Sequence, residues 1–278
     1  MNAPIPNHYD SENARQLAGF AAAAYGSDWS DGADLSDMSD LSDGSDGWDV
    51  AGRIGDGGTD TQVIIWKNPQ DMVVAFRGTR SLRNFVTDIC ARRVPLFPEA
   101  KAEVHEGFQW ALGSVCDALH SAVEQLADGP TSPRIWITGH SLGGALAKLF
   151  AIRCQLAIAG VYTFGEPRAG NAAFRDYYDA LLKSCTFRVV DGEDFITRIP
   201  WLLGAYRHCG TEIFYDSVGV PHVSPPWWVK GASDVFGTWS EWRRDGRLAL
   251  LADHHVSNYV ALLASTSAFS LQPSAFSP

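Results

Sequence analysis

Residues 134–154 read RIWITGHSLGGALAKLFAIRC, and this stretch decides the fold. It divides into a strand, a glycine-tight turn with Ser141 at its apex, and an apolar helix running through Gly144, Ala145, Leu146, Ala147, Leu149, Phe150 and Ala151. A serine hydroxyl is a poor nucleophile in water, so a protein that uses one holds it on a sharp, exposed turn beside a base and backbone donors. Gly139 and Gly143 lack a Cβ on either side of the serine, which lets strand and helix pass closely while the turn stays strained. The first amides of the helix then point back at the serine. A bare GxSxG pattern is common by chance; the flanking strand and helix give this one its weight.

A serine elbow in an α/β sheet is followed along the chain by an acid and then a histidine. Of the eight histidines, His208, His222, His254 and His255 lie far enough beyond Ser141. CTFRVV, Cys185 to Val190, is a short β-branched run that ends at DGED, where Asp191, Glu193 and Asp194 compete for the acid. Asp194 is favoured, because Phe195, Ile196, Ile199 and Pro200 follow it and would bury its carboxylate, and a buried acid orients an imidazole without competition from water. The pair His254 and His255 stands at the head of a helix running to Leu263, where a loop-to-helix junction can aim a ring. His208, at the start of the strand-like GTEIFY, reads as structural, and His222 lies in a Pro-rich loop.

At this point the chain resembles the class 3, fungal-type lipases and their feruloyl esterase, plant and bacterial relatives. The resemblance runs from about Ala14 to Ala261. It is carried by VVAFRGTRSLRNFVTDI (73–89), VHEGF (104–108), ITGHSLGGALA (137–147), TFGEPRAGN (163–171), RVVDGEDFITRIP (188–200) and DHHVSNY (253–259), in that order. It implies an α/β-hydrolase fold, with a mostly parallel central sheet flanked by helices and a short lid-like helix over Leu82–Ile89. It also implies Ser141 as nucleophile, Asp194 as acid and His254, the histidine after Asp253, as base. One oxyanion donor is the amide of Leu142, directly after the nucleophile. Residue types alone leave Thr79 level between a second donor and a plain turn or cap; the resemblance makes it the donor.

The activity so implied is that of a serine carboxylic-ester hydrolase, foremost a triacylglycerol lipase working through an acyl-enzyme. Small soluble or feruloyl esters, phospholipids and galactolipids are the neighbouring substrates, and a lipid-binding pseudo-hydrolase is the reading outside catalysis. Leu82, Phe85, Phe195, Ile196, Ile199, Trp201, Leu202 and Leu203 are the candidate acyl pocket. No metal and no organic cofactor is required. The partners expected are an acylglycerol or other ester and an oil–water interface.

The 278 residues, 46% of them hydrophobic, suffice for one sizeable α/β core, and no Gly/Pro/Ser-rich linker divides them, so a single domain over 1–278 is expected. A formal charge of -10 argues against nucleic acid and anionic membrane surfaces, and favours a neutral ester. No apolar run approaches the ~20 residues of a membrane span. MNAPIPNHYDSENARQ lacks the basic start and apolar core of a secretory signal, and the five cysteines show neither metal-ligand spacing nor an evident disulfide pattern. A cytoplasmic location is therefore expected, which counts against secretion without closing it off.

Glu12–Tyr25 reads as an alanine-rich helix packed on the sheet. After it, SDWSDGADLSDMSDLSDGSDGWD makes an acidic loop over about 27–49. Clustered Asp oxygens suit calcium, but the glycine and glutamate spacing of an EF-hand loop is absent. Residues 50–79 read as two antiparallel strands about the KNPQD turn, and Phe108–Leu126 as one long helix. Trp227, Trp228, Trp239 and Trp242 form an aromatic group read as packing over the core in preference to a substrate patch.

Overall fold

The computed structural model describes residues 8–26, 47–78, 92–98, 100–128, 132–192, 194–200, 205–226 and 254–266. The first helix, α1 (Ser11–Ala23), begins where the Asp10 carboxylate accepts the Asn13 amide at 2.8 Å. It buries Leu17 and the small side chains of Ala14, Ala18 and Ala21, which bring its axis close to the sheet. Three strands follow as an antiparallel meander: β1 (Asp49–Asp56), β2 (Thr61–Lys67) and β3 (Asp71–Phe76). A separate small ladder joins β4 (Arg93–Pro95) to β5 (Glu103–His105).

Helices α2 (Glu106–Gly113) and α3 (Cys116–Ala127) lead into β6 (Arg134–His140), which pairs in parallel with β3. Next come α4 (Leu142–Ala151), β7 (Ile158–Phe164), α5 (Ala172–Leu182), β8 (Thr186–Asp191), β9 (Thr211–Tyr215), β10 (Pro221–Val223) and α6 (Val256–Thr266). The result is an eight-stranded sheet in the order β1-β2-β3-β6-β7-β8-β9-β10, parallel from β3 to β9 and antiparallel at both edges.

Parallel strands need cover on both faces, and alternation along β6 supplies it. Ile135 and Ile137 enter a core with Phe108, Leu119, Leu146 and Phe174, from α2 to α5. Trp136 enters the opposite core with Leu17, Phe187, Tyr259 and Leu263, beneath α1 and α6.

Three local expectations change. Residues 50–79 hold the expected antiparallel pair about the KNPQD turn as β2 and β3, and also a third strand ahead of it, β1, which is half-buried along its length and lacks the apolar run that marks the other two. The long helix is two helices, broken at Ser114 and Val115. There the Ser114 hydroxyl turns back to the Ala111 carbonyl at 2.8 Å and meets the Thr59 hydroxyl at 2.8 Å, a contact invisible from local periodicity. The acidic loop ends earlier than expected, since Asp49 already belongs to β1; residues 27–46 lie outside the described residues, as do the lid segment 82–89 and the tryptophans 227, 228, 239 and 242.

Backbone meets backbone closely at Gly143, where an added Cβ would strike the Phe76 carbonyl oxygen and lie 2.8 Å from the Arg77 carbonyl carbon. Gly143→Ala is expected to lower stability by roughly 1–3 kcal/mol or more, since neither backbone can yield. Gly19→Ala, mid-helix with nothing within 4 Å of the new Cβ, is expected to raise it by roughly 0.5–1 kcal/mol. Thermal unfolding followed by circular dichroism checks the pair, and equal or reversed shifts would refute this account of the packing.

Candidate active site

Ser141 caps α4 at φ 58°, ψ -130°, in a region that L residues avoid. Holding a non-glycine residue there costs on the order of 1–3 kcal/mol. The helix can begin so abruptly because Cβ atoms on Gly139 or Gly143 would collide with neighbouring backbone. Leu142 is the first helical residue, so its amide is among those without an intrahelical acceptor. Contrary to the expectation of an exposed serine, Ser141 has 0% exposure, as do Asp194 and His254. One wall against it is Gly78, at the end of β3, where an added Cβ would lie 3.2 Å from the Ser141 Cβ.

Asp194 follows β8 and caps the 3-10 turn Phe195–Arg198. Its Oδ1 accepts the Ile196 amide at 2.9 Å, and its Oδ2 lies 2.7 Å from His254 Nδ1 and accepts the Tyr259 hydroxyl at 2.6 Å. With Nδ1–H directed at the carboxylate, the lone pair of His254 sits on Nε2. That nitrogen and Ser141 Oγ are both buried, and neither has a hydrogen-bond partner among the described residues. Apo sites of this kind often tighten only when substrate arrives. Gly165, at φ +59°, makes room for the pair, since a Cβ there would lie 2.7 Å from Asp194 Oδ2 and 3.0 Å from His254 Cε1.

The competing candidates lie elsewhere. His255 is exposed, and His222 pairs with Asp216 in the β9–β10 hairpin at 2.9 Å. His208 is held by the Thr197 carbonyl at 2.6 Å. Asp191 closes β8, and Glu193 lies outside the described residues. Of the candidate pocket residues, Ile196 and Ile199 are buried and Phe195 is partly so; Leu82, Phe85, Trp201, Leu202 and Leu203, with the oxyanion candidate Thr79, lie outside the described residues.

Three polar residues escaped the sequence reading. Tyr259 was visible only as the last letter of DHHVSNY, and its role depends on where α6 docks. Tyr25, two residues past α1, places its hydroxyl 2.9 Å from His140 Nδ1 and accepts the Gly78 amide. The Tyr25 proton therefore goes to Nδ1, and a neutral His140 carries its own on Nε2. The His140 ring lies 4.6 Å from the His254 ring, 34° from parallel. Burial, and then the neighbouring His254, hold the His140 pKa well below the usual histidine range. A run of contacts thus joins Gly78, Tyr25, His140 and His254, and no local pattern announces it.

The architecture is that of an α/β-hydrolase. Residues 73–203 match the family model described as lipase (class 3). It is 31% identical over 149 residues to a secreted mono- and diacylglycerol lipase 1 of Fusarium solani, covering 53% of this chain and 44% of that protein. It is 30% identical over 173 residues to the secreted mono- and diacylglycerol lipase MDL3 of Malassezia globosa, covering 58% and 57%. The chain therefore spans about half the length of these relatives. The triacylglyceride lipase structure of Rhizomucor miehei superposes with a TM-score of 0.64 at 23% identity, over 76% of this chain and 82% of that one, a likeness of fold.

These relatives overturn the expected cytoplasmic location, because both are named as secreted. The cysteine pattern was a poor guide. Cys185 and Cys209 are buried, Cys116 and Cys154 partly so, and burial pushes the Cys209 thiol up to about 12. Thiols packed as small hydrophobes are indifferent to the redox compartment.

Two neutral histidines, His140 buried and His208 partly so, set an acid-side stability window. His140 is depressed as above, and burial with Arg188 brings His208 down to about 4. Below an unfolded pKa of ~6.5 the unfolded chain takes up protons that the folded chain refuses, so stability is full above that pH and falls as pH drops. The slope is at most about 1.4 kcal/mol per pH unit per histidine. The unfolding midpoint is expected to fall between pH 7 and 5, and less steeply in His208→Gln. A midpoint flat over that range in the unmodified chain would contradict the assignment.

Proposed function

We propose that the chain is a serine carboxylic-ester hydrolase, a lipase that cleaves acylglycerol esters through an acyl-enzyme, built as one domain over 1–278. The observation that carries this reading is the His254 Nδ1 to Asp194 Oδ2 contact of 2.7 Å, wholly shielded from water, beside a serine held at φ 58° on a strand-to-helix turn. The chain order of serine, acid and histidine agrees with it. So do the relatives named as mono- and diacylglycerol lipases.

In this reading Ser141 Oγ attacks the ester carbonyl while His254 Nε2 takes its proton. Asp194 fixes the tautomer and stabilises the imidazolium, and His254 then protonates the departing alcohol. The amides of Leu142 and Thr79 stabilise the oxyanion, the term on which acyl transfer depends most. Water, activated by the same Nε2, releases the acid. Ile196 and Ile199, with Phe195, Leu82, Phe85, Trp201, Leu202 and Leu203, form an apolar acyl pocket suited to fatty chains.

Ser141→Ala is expected to cost on the order of a millionfold in turnover without loss of fold. His254→Ala is expected to abolish turnover and His255→Ala to spare it, because the first ring faces Asp194 and the second faces solvent. A Ser141→Ala enzyme within tenfold of the original would remove the serine from the mechanism. The opposite histidine result would move the base to His255.

Because Ser141, Asp194 and His254 are inaccessible, an ester reaches Oγ only after some cover moves. We assign that cover to residues 82–89, whose apolar side chains Leu82, Phe85, Val86 and Ile89 would exchange protein for oil at an interface. The rate on tributyrin is then expected to jump above the solubility limit of the ester, and to jump less in Phe85→Ser. A smooth hyperbola through that limit would mean a fixed cover and an esterase acting on dissolved monomers.

A further inference from the structure

A cavity lies at the β8–β9 side of the sheet. It holds about 180 Å³, and its wall includes Arg168, Arg188, Arg198, His208, Glu212 and Phe214. Arg188 and Glu212 are register partners on the two strands, with Nη2 and Oε1 3.1 Å apart. Val190 and Phe214 are the next pair on the same face and form an apolar back wall. Arg168, from the loop after β7, donates Nη1 to the Pro200 carbonyl at 3.1 Å, and Arg198, from the turn after Asp194, donates Nη2 to the Gly192 carbonyl at 3.3 Å.

Three elements thus send a guanidinium each to one space whose described wall contains a single carboxylate. Glu166 lies behind the cavity and is bonded to Lys148 Nζ, 3.9 Å from Arg188 Nε and 3.6 Å from His208 Nδ1. His208 is uncharged at neutral pH, its Nε2 directed at the Thr197 carbonyl. Burial, followed by the charges of Arg188, Arg207 and Arg198, keeps Arg168 below the ordinary arginine range. Apolar side chains would fill such a space at lower cost than converging like charges. A chain of formal charge -10 nevertheless places three of its 17 arginines here.

We propose that this cavity binds a phosphate-type oxyanion, with Arg168, Arg188 and Arg198 as the clamp. Guanidinium forks match the spacing of oxyanion oxygens and hold them by paired charge-assisted bonds, which ammonium groups cannot do. Among the described residues three guanidiniums face one carboxylate in this wall, which suits a dianion better than a monoanion. The cavity is separate from the Ser141 site, yet Gly192, Thr197 and Arg198 in its wall belong to the segment that carries Asp194. A bound anion would brace that segment. Inorganic phosphate and the phosphomonoester of a lipid headgroup share this chemistry.

Calorimetric titration of the full chain with inorganic phosphate, at ionic strength fixed with sodium chloride, is expected to show saturable binding at one site. Arg168→Gln is expected to weaken it at least tenfold; Arg168→Lys, which keeps the charge and loses the fork, is expected to fall between and serves if the Gln variant fails to fold. Heats indistinguishable from the chloride blank, or affinity unchanged in the folded variants, would overturn the proposal. Phosphatidylcholine vesicles with and without phosphatidic acid separate the two sources. Capture by phosphatidic acid that inorganic phosphate reverses assigns a headgroup, and phosphate binding without capture assigns the free anion. Because binding is read without ester turnover, its failure leaves the hydrolase proposal standing, and the reverse holds too.

Discussion

The close passage of α4 over the ends of β3 and β6 is the constraint on which the site depends. Cβ atoms at Gly139 or Gly143 would meet backbone, which cannot rotate aside as a side chain can. With both absent, the helix starts one residue after the strand ends, and the residue between them is forced to φ 58°. The same passage sets Leu142 at the helix N-terminus and Gly78 against the serine Cβ. Strain at Ser141 is thus borne by the two layers of core that clamp β6 and α4 together, and not by the turn itself.

Asp194 imposes the second constraint, because a carboxylate with no exposure must be fully bonded. Its donors come from its own 3-10 turn, from His254 two residues before α6 and from within α6. Docking of α6 against α1 and the sheet is therefore also the event that neutralises the acid's environment. Tyr259 belongs to both: its ring lies in the core beneath α1, and its hydroxyl reaches the carboxylate. Removing the ring would open a cavity, whereas removing only the hydroxyl would leave Asp194 one bond short, so the packing and electrostatic parts of its role are separable.

Legibility followed distance along the chain. The strand-turn-helix could be read because its strand, glycines and helix are consecutive, and the burial of Asp194 because apolar neighbours follow it closely. β1 went unrecognised since a half-buried edge strand with two glycines carries neither an apolar run nor clean alternation. The α2–α3 break depends on a hydroxyl pair 55 residues apart, and Tyr25 acts on a histidine 115 residues away. Such long-range polar contacts leave no period in the sequence. The serine's burial was misjudged for a related reason, since a turn exposed on its own element can be covered by the end of another strand.

His140 and His254 are stacked imidazoles in one dry site, and their partners set them apart. His254 has a carboxylate on Nδ1, which favours the imidazolium that acyl transfer would form on it. His140 has a phenol on Nδ1, a neutral partner whose pKa is raised to a value far above physiological pH by burial. A proton on His140 would place a positive charge on a ring centred 4.6 Å from the His254 ring. Tyr25 lets the site avoid that charge by satisfying His140 as a neutral ring while accepting the amide of Gly78. The neutral ring then lies against His254 without competing for its proton, so under the proposed mechanism the residue before Ser141 would serve His254 best by staying uncharged.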